Sequence, residues 1–365
     1  LALTDGSTWR DKGYTIPYTG PDGDRLMADD HGNEKKLDTV RLQTMSRAFM
    51  GSATLFAAIE LKLFTAVSEG DNTVQRFAKK ATISVTNADR LMTMCAASGL
   101  LVWRDDHYIN APDVQRFLVE GEARYAAPWL LFTRSGWNRW GDLAKQLHNE
   151  QEPQVMAASK TMSVEYAQRY HKATASVGFG SGRRFSKQVD LSQRRKIMDL
   201  GGGSGAYSIV AVQNYPQLSA VVFDLPPVVE VTREFIRQHD VEDRVTTMAG
   251  NFTEDELPEG CDVAIMASNL PMYSRQIIQE VIRKSFTALL PGGEMHLVGE
   301  MLDDDRTGPA DAAIWGLAEV MSNSTGITHT RADCVEYFQH AGFDDISVDD
   351  FIPDILVRVC GRKPT

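Results

Sequence analysis

Residues 196–205 read Lys-Ile-Met-Asp-Leu-Gly-Gly-Gly-Ser-Gly, and this stretch decides the fold. Ile197-Met198 is a short apolar run of the kind a buried strand carries. It ends in Asp199 and breaks into Gly201, Gly202, Gly203 and Gly205. A helical pattern resumes through Tyr207, Ile209 and Val210. A strand that turns through glycines into a helix lets the backbone approach a ligand closely, because no Cβ stands between them. A second apolar strand, Ala220-Val221-Val222-Phe223, ends in Asp224. That acid follows Asp199 by 25 residues, about where a Rossmann-type unit places a carboxylate for ribose hydroxyls.

The glycines do not have dinucleotide spacing. The third glycine of Gly-x-Gly-x-x-Gly would fall at Ala206 or Ser208, and no Gly-Lys-Ser/Thr of a phosphate loop follows. Loop, acid and strand order together suggest a nucleoside ligand without a pyrophosphate, and S-adenosylmethionine fits. The plainer alternative is a tight strand-to-helix turn with no ligand.

The 365 residues suffice for two domains, and an apolar fraction of 43% permits a sizeable core. A net charge of −11 argues against nucleic acid, whose phosphates would be repelled. Cys95, Cys261, Cys334 and Cys360 are too widely spaced for a zinc site or a disulfide framework, so a reducing compartment is expected. No apolar run reaches membrane-spanning length, so no membrane partner is expected. The expected setting is cytoplasmic, or organellar should a targeting peptide precede Leu1.

Residues 1–35 are rich in Gly, Asp and Thr without steady periodicity and read as a flexible extension. From Lys36 to Ser68 the pattern is helical and apolar nearly all round, through Leu37, Val40, Met45, Phe49, Leu55, Ile59 and Leu63, which suggests a subunit interface. Residues 72–110 read as helix, turn, helix and a hairpin wing, a winged helix. Its second helix, Asn87 to Ser98, carries Asp89 against Arg90 and no basic cluster, which disfavours a DNA-binding regulator. Residues 123–187 are helical and aromatic. From Arg195 strands and helices alternate: strand 263–266, helix 275–290, a turn at Pro291-Gly292-Gly293 and strand 295–299. Alternation predicts an α/β fold with a doubly wound parallel sheet and a ligand at the carboxyl ends of its strands.

The order of parts resembles the dimeric small-molecule methyltransferases, which join an N-terminal winged-helix dimerisation domain to a Rossmann-like S-adenosylmethionine domain. The resemblance covers roughly residues 36–362. It rests on the glycine loop, Phe223-Asp224-Leu225-Pro226, Ala249-Gly250-Asn251-Phe252, the Leu290-Pro291-Gly292-Gly293 turn and Ala341-Gly342-Phe343. It implies a homodimer and three parts: an extension (1–35), a dimerisation and substrate-capping domain (36–187), and a methyltransferase domain (188–365). It also implies S-adenosyl-L-methionine as donor and S-adenosylhomocysteine as product. In that family the loop glycines (here Gly201 and Gly203) hold the methionine part, the acid matching Asp224 holds the ribose and Leu225 packs on adenine. Asn251 replaces the usual Asp and is expected to bond the adenine amino group through its oxygen. Asp199, Phe252 and Ser268 complete the expected cofactor site.

The departures are informative. Members that methylate oxygen carry Leu-His-Asp-Trp after the fourth strand, where the histidine takes the acceptor's proton. Here the run is Leu270-Pro271-Met272-Tyr273. A Glu-Arg-Thr run, whose glutamate orients that histidine, is replaced by Thr328-His329-Thr330, and only the carboxylate matching Glu300 remains. A positioned base contributes roughly 10²–10⁴-fold. Losing it points to a nucleophile with no proton to lose, such as a thioether sulfur. The segment from Ala123 to Trp137 and the Asp38-Thr39-Val40-Arg41 start are similar to the methylthiohydroxybutyrate S-methyltransferases of dimethylsulfoniopropionate synthesis. A small carboxylic acid thioether is therefore the expected substrate, methylated by proximity and desolvation without a general base. Candidate pocket residues are Trp129, Phe132 and Phe179, with Tyr166, Tyr170, Tyr273 and Trp315 as the aromatic faces for the cationic product and Arg134, Arg139, Arg169 and His171 for the carboxylate. Two alternatives stay open. One is O- or C-methylation of a natural-product scaffold with His171 or His329 as base. The other is a rearrangement enzyme that binds the cofactor without transferring its methyl group.

Overall fold

The computed structural model describes residues 37–155 and 162–365, so the extension expected over 1–35 lies outside the described residues. The chain divides into two compact units, Leu1–Ser135 and Gly136–Thr365.

In the first unit, the long apolar stretch forms α1 (Val40–Glu60) and α2 (Leu63–Ser68). Lys62 between them is left-handed at φ 55°, which breaks one helical pattern into two elements. Helices α3 (Val74–Ala81) and α4 (Val85–Ala97) start where hydroxyls cap them: Thr73 accepts from the Arg76 N–H and Ser84 from that of Asn87. Strands β1 (Leu101–Arg104) and β2 (His107–Asn110) form the wing. Asp105 and Asp106 both adopt positive φ, as a two-residue hairpin turn requires. Short α5 (Pro112–Leu118) and α6 (Ala127–Thr133) follow. The core holds Phe64, Phe77, Met92 and Leu101. Along α1, Val40, Met45, Phe49 and Met50 are exposed in the single chain, an apolar surface of the kind that another surface covers.

The second unit opens with α7 (Trp137–Gly141), α8 (Leu143–Leu147) and α9 (Val164–Gln188). The sequence pattern grouped residues 136–187 with the first domain. Here α9 packs on two helices of the sheet domain, and these residues belong to the second unit. Then come β3 (Lys196–Leu200), α10 (Ala206–Asn214), β4 (Ser219–Asp224), α11 (Pro226–Gln238), β5 (Val245–Ala249), β6 (Cys261–Ala267), α12 (Arg275–Ala288) and β7 (Leu289–Gly299). Short β8 (Met301–Leu302), α13 (Ala310–Ala318), short β9 (His329–Thr330), α14 (Arg331–Ala341), β10 (Asp344–Ile352) and β11 (Leu356–Arg362) complete it.

The sheet order is β10-β11-β7-β6-β3-β4-β5. Strands β7, β6, β3, β4 and β5 are parallel, while β11 runs antiparallel to β7 and β10. The doubly wound expectation holds, with one reversed strand near the edge. Successive residues of β3 face opposite layers. Met198 and Leu200 pack with Ile278 and Phe338, and Ile197 packs with Phe185 and Ile209. The expected turn at 291–293 lies inside β7, where its pairing with β6 slips between Cys261 and Val263. From β3 the chain winds outward through β4 and β5, then returns to β6 on the other side. This is the switch point at which open α/β sheets bind ligands. Among the described residues, no helix is long and apolar enough to cross a membrane.

Candidate active site

The glycine loop leaves β3 in a sharp left-handed path. Gly201, Gly203 and Gly205 take φ of 64°, 56° and 71°, a region that side chains rarely adopt. A Cβ at Gly201 would lie 2.6 Å from Asn269 Nδ2 and 2.9 Å from the Phe252 ring. Bonds from all sides hold the path. Gly201 N–H donates to the Phe223 carbonyl at 2.8 Å. Thr232 Oγ1 donates to the Gly203 carbonyl at 2.6 Å, and Asn269 Nδ2 to that of Gly201 at 3.2 Å.

Asp224 closes the loop against β4. Its two oxygens accept from Gly203 N–H (2.8 Å) and Leu225 N–H (2.7 Å). Each oxygen keeps a lone pair for another donor, such as a ribose hydroxyl. Asp199 lies beneath the loop, buried, and accepts from Ser208 Oγ at 2.7 Å. Burial pushes both carboxyls up to about 6, partly countered by these hydrogen bonds. Buried acids held above their usual range favour a cationic ligand, whose charge offsets their desolvation. A glycine cradle and a ribose-competent acid therefore fit S-adenosylmethionine.

The remaining cofactor residues behave differently. Phe252 packs edge-on to Tyr273 at 5.3 Å, close to Gly201. Ser268 is exposed and left-handed, its N–H bonded to the Val298 carbonyl. The role expected for Asn251 is corrected. Its Oδ1 accepts from both the N–H and the hydroxyl of Thr253, at 3.0 and 2.7 Å, so the oxygen closes a turn instead of waiting for an adenine amino group.

Helix α9 brings Tyr166, Tyr170 and His171 together. Tyr166 stacks on Tyr170 at 6.3 Å, Tyr170 meets His171 edge-on at 5.1 Å, and the Arg169 guanidinium lies 5.4 Å from the Tyr166 ring centre. His171 rests on the loop: a Cβ at Gly203 would come within 2.6 Å of its ring. Burial drives the His171 pKa down to about 4, so it is neutral at physiological pH. The Tyr170 phenol is pushed up to about 12 by burial, then by the nearby Tyr166, Glu300, Asp224 and Glu319. Burial also raises the half-buried carboxyls Glu300 and Glu319.

Several candidates lie elsewhere. Phe179 stacks on His239 at 4.5 Å and touches Phe235, inside the α9–α11 packing and away from the Tyr166 face. Tyr273 is 2% exposed in the core. Trp129 and Phe132 stack on each other in the first unit, and Arg134 there is ion-paired with Glu60. Arg139 donates to the Met321 carbonyl at 3.0 Å, while Trp315 stands partly exposed on α13. His329 is fully buried, contrary to a role as a loop base. Its Nε2 donates to the Tyr273 carbonyl at 3.0 Å and its Nδ1 accepts from the Tyr337 hydroxyl at 2.9 Å. Both nitrogens are engaged, so His329 is a structural bracket. His329→Phe should cost about 2–4 kcal/mol of stability by orphaning two buried polar groups, read as a lower melting temperature. The turnover of the folded fraction should be unchanged, and a selective loss of turnover would return His329 to the site.

Two contributors were missed. Asn269, just past the carboxyl end of β6, pins the loop. Glu319 had a legible signal: it is the one charged residue in the apolar run from Ala312 to Met321, and a buried acid in such a run demands partners.

Comparison with known proteins agrees with this architecture. A family model described as an O-methyltransferase domain matches residues 140–344, and one described as an O-methyltransferase dimerisation domain matches residues 43–120. A 3-hydroxy-5-methyl-1-naphthoate 3-O-methyltransferase of Streptomyces sahachiroi is 29% identical over 318 residues, covering 84% of this chain and 89% of the relative. The acetylserotonin O-methyltransferase of Rattus norvegicus is 29% identical over 328 residues, covering 87% and 76%. Human N-acetylserotonin methyltransferase in complex with S-adenosylmethionine superposes with a TM-score of 0.77 at 24% identity, covering 91% of this chain and 99% of that one. The dimerisation domain supports a homodimer. The dimethylsulfoniopropionate resemblance finds no counterpart among these relatives. The chain belongs to the O-methyltransferase family and is a methyltransferase with S-adenosylmethionine as its cofactor.

Proposed function

We propose that this enzyme methylates a hydroxyl oxygen of a small organic acceptor. The named activities of its relatives on a naphthoate 3-hydroxyl and on acetylserotonin support an oxygen acceptor. The observation that carries the proposal is the pair of half-buried carboxylates, Glu300 and Glu319, within electrostatic reach of Tyr170 in the unit that holds the glycine loop. An acceptor hydroxyl must give up a proton as it becomes an ether, and a carboxylate raised towards neutrality is suited to take one.

When bound, S-adenosylmethionine supplies an electrophilic methyl group. Asp224 holds the ribose through its remaining lone pairs, and the left-handed glycines let the backbone come close. Tyr170 and His171 cover the loop and exclude water, which strengthens the remaining electrostatics. Tyr166 and Arg169 of α9 are the acceptor-side candidates.

A second proposal, transfer to a thioether, is favoured by Pro271 and by the bracketed His329, since neither is a base. The carboxylates oppose it. A thioether has no proton to give, so Glu300 and Glu319 would have no role in its methylation. The test is incubation with S-adenosylmethionine and 3-hydroxy-5-methyl-1-naphthoate, N-acetylserotonin, catechol or 4-methylthio-2-hydroxybutyrate. Mass spectrometry should find a methylated product from at least one hydroxyl acceptor. Product from the thioether alone would reverse the order of the two proposals.

A further inference from the structure

We propose that Glu319 is the catalytic base, the carboxylate that takes the acceptor's hydroxyl proton. This rests on the oxygen-acceptor proposal above and places the base on a different element from the one the family resemblance indicates.

The geometry begins at Gly326. A Cβ there would collide with the Pro271 carbonyl and lie 2.7 Å from Glu319 Cγ. Only a glycine lets the turn after α13 settle against residues 270–272, the segment where the resemblance places a histidine. Ser324 ties the pieces together. Its hydroxyl donates to Glu319 Oε2 and accepts from Gly326 N–H at 2.9 Å. The Ser322 hydroxyl shares its proton between the Glu319 carbonyl, at 3.2 Å, and the same Oε2, at 3.4 Å. Both bonds fall on one oxygen, so among the described residues Oε1 is left for another donor. A carboxylate with one oxygen anchored and the other open is preorganised to receive a proton.

The other ionisable groups are less suited. His329 has both ring nitrogens engaged. His171 lies against Gly203, and burial makes it a weak base. Glu300 acts electrostatically on Tyr170 and on Tyr207, next to the glycine loop. Glu319 acts on Tyr170 and Tyr273, and Tyr273 directly follows the Leu270–Met272 turn. Asp224 acts electrostatically on the same two tyrosines.

In the step, the acceptor O–H bond breaks and its proton passes to Oε1 of Glu319. The acceptor oxygen bonds the donor methyl carbon, and the carbon–sulfur bond breaks with its electron pair remaining on sulfur. The products are the methyl ether and S-adenosylhomocysteine, and the proton then leaves Glu319 for water.

The experiment compares the full-length wild type with Glu319→Gln and Ser324→Ala, using whichever of catechol, N-acetylserotonin and 3-hydroxy-5-methyl-1-naphthoate the wild type methylates fastest. Glu319→Gln should lower kcat by roughly 10²–10⁴-fold and leave cofactor affinity within about twofold. The wild-type kcat should rise with pH along an acidic limb that Glu319→Gln abolishes. Ser324→Ala removes a bond that favours the charged carboxylate, so the limb should move to higher pH. This second variant keeps the proposal testable if the first does not fold. If Glu319→Gln keeps full turnover and the limb on a hydroxyl acceptor, Glu319 is not the base, while oxygen methylation stands. If the wild type methylates only 4-methylthio-2-hydroxybutyrate, both proposals fall.

Discussion

Gly201→Ala is expected to abolish detectable cofactor binding at concentrations that saturate the wild type. Two costs add. A non-glycine residue held at positive φ loses about 1–2 kcal/mol, and Gly201 sits at 64°. The new methyl group would also enter space held by Asn269 Nδ2 and the Phe252 ring, at 2.6 and 2.9 Å. Relieving that overlap in a packed site costs about 1–3 kcal/mol more. The cheapest relief rotates Asn269 away, which breaks its bond to the Gly201 carbonyl and frees the loop. Calorimetric titration with S-adenosylmethionine, paired with a melting curve, separates lost affinity from lost folding. An alanine variant that binds normally would mean the loop does not touch the cofactor.

Asp224→Asn is expected to weaken cofactor binding by about 1–3 kcal/mol and to flatten its pH dependence. The sign follows from burial. Asp224 and Asp199 titrate near 6 in the folded protein, against an ordinary 3.8. A raised carboxyl contributes stability that is present below the unfolded pKa and is lost as pH rises through the folded one. Both acids therefore oppose folding of the free enzyme at neutral pH. A positively charged cofactor reverses this preference by favouring the ionised carboxylates. Affinity should climb between about pH 5 and 7 and binding should release protons, with a smaller release in Asp224→Asn. Titration in two buffers of different ionisation enthalpy measures the release directly. Proton uptake, or affinity independent of pH, would show that these acids do not face the cofactor.

Much of this was legible in the sequence, for identifiable reasons. A buried parallel strand is a continuous apolar run, so β3, β4 and β6 announced themselves, and the glycines and Asp224 marked their carboxyl ends. The wing was readable because two aspartates between short apolar runs suit a two-residue turn. What failed depended on long-range packing. Helix α9 carries aromatic residues on more than one side, and composition does not say which side meets which neighbour. Phe179 lies nine residues beyond Tyr170, and at about 100° per residue that points it to the opposite face. It is accordingly found against His239. Tyr273 and His329 looked like site residues by type, but each lies inside the core, and only the fold puts the histidine between Tyr273 and Tyr337. The partnership of Glu319 with Ser324 requires the turn through Gly326, which no local pattern encodes. The absent histidine at 271 was read correctly as an absence. That absence pointed to a substrate with no proton to lose, whereas the relatives are O-methyltransferases and favour the alternative of an oxygen acceptor.

The central claim is that the transferred methyl group ends on oxygen. Its most direct test uses S-adenosylmethionine carrying a carbon-13-labelled methyl group, with a hydroxyl acceptor and 4-methylthio-2-hydroxybutyrate present together in equal amounts. Carbon NMR of the products should place the label in a methoxy group. A label found only in a dimethylsulfonium group would contradict the claim.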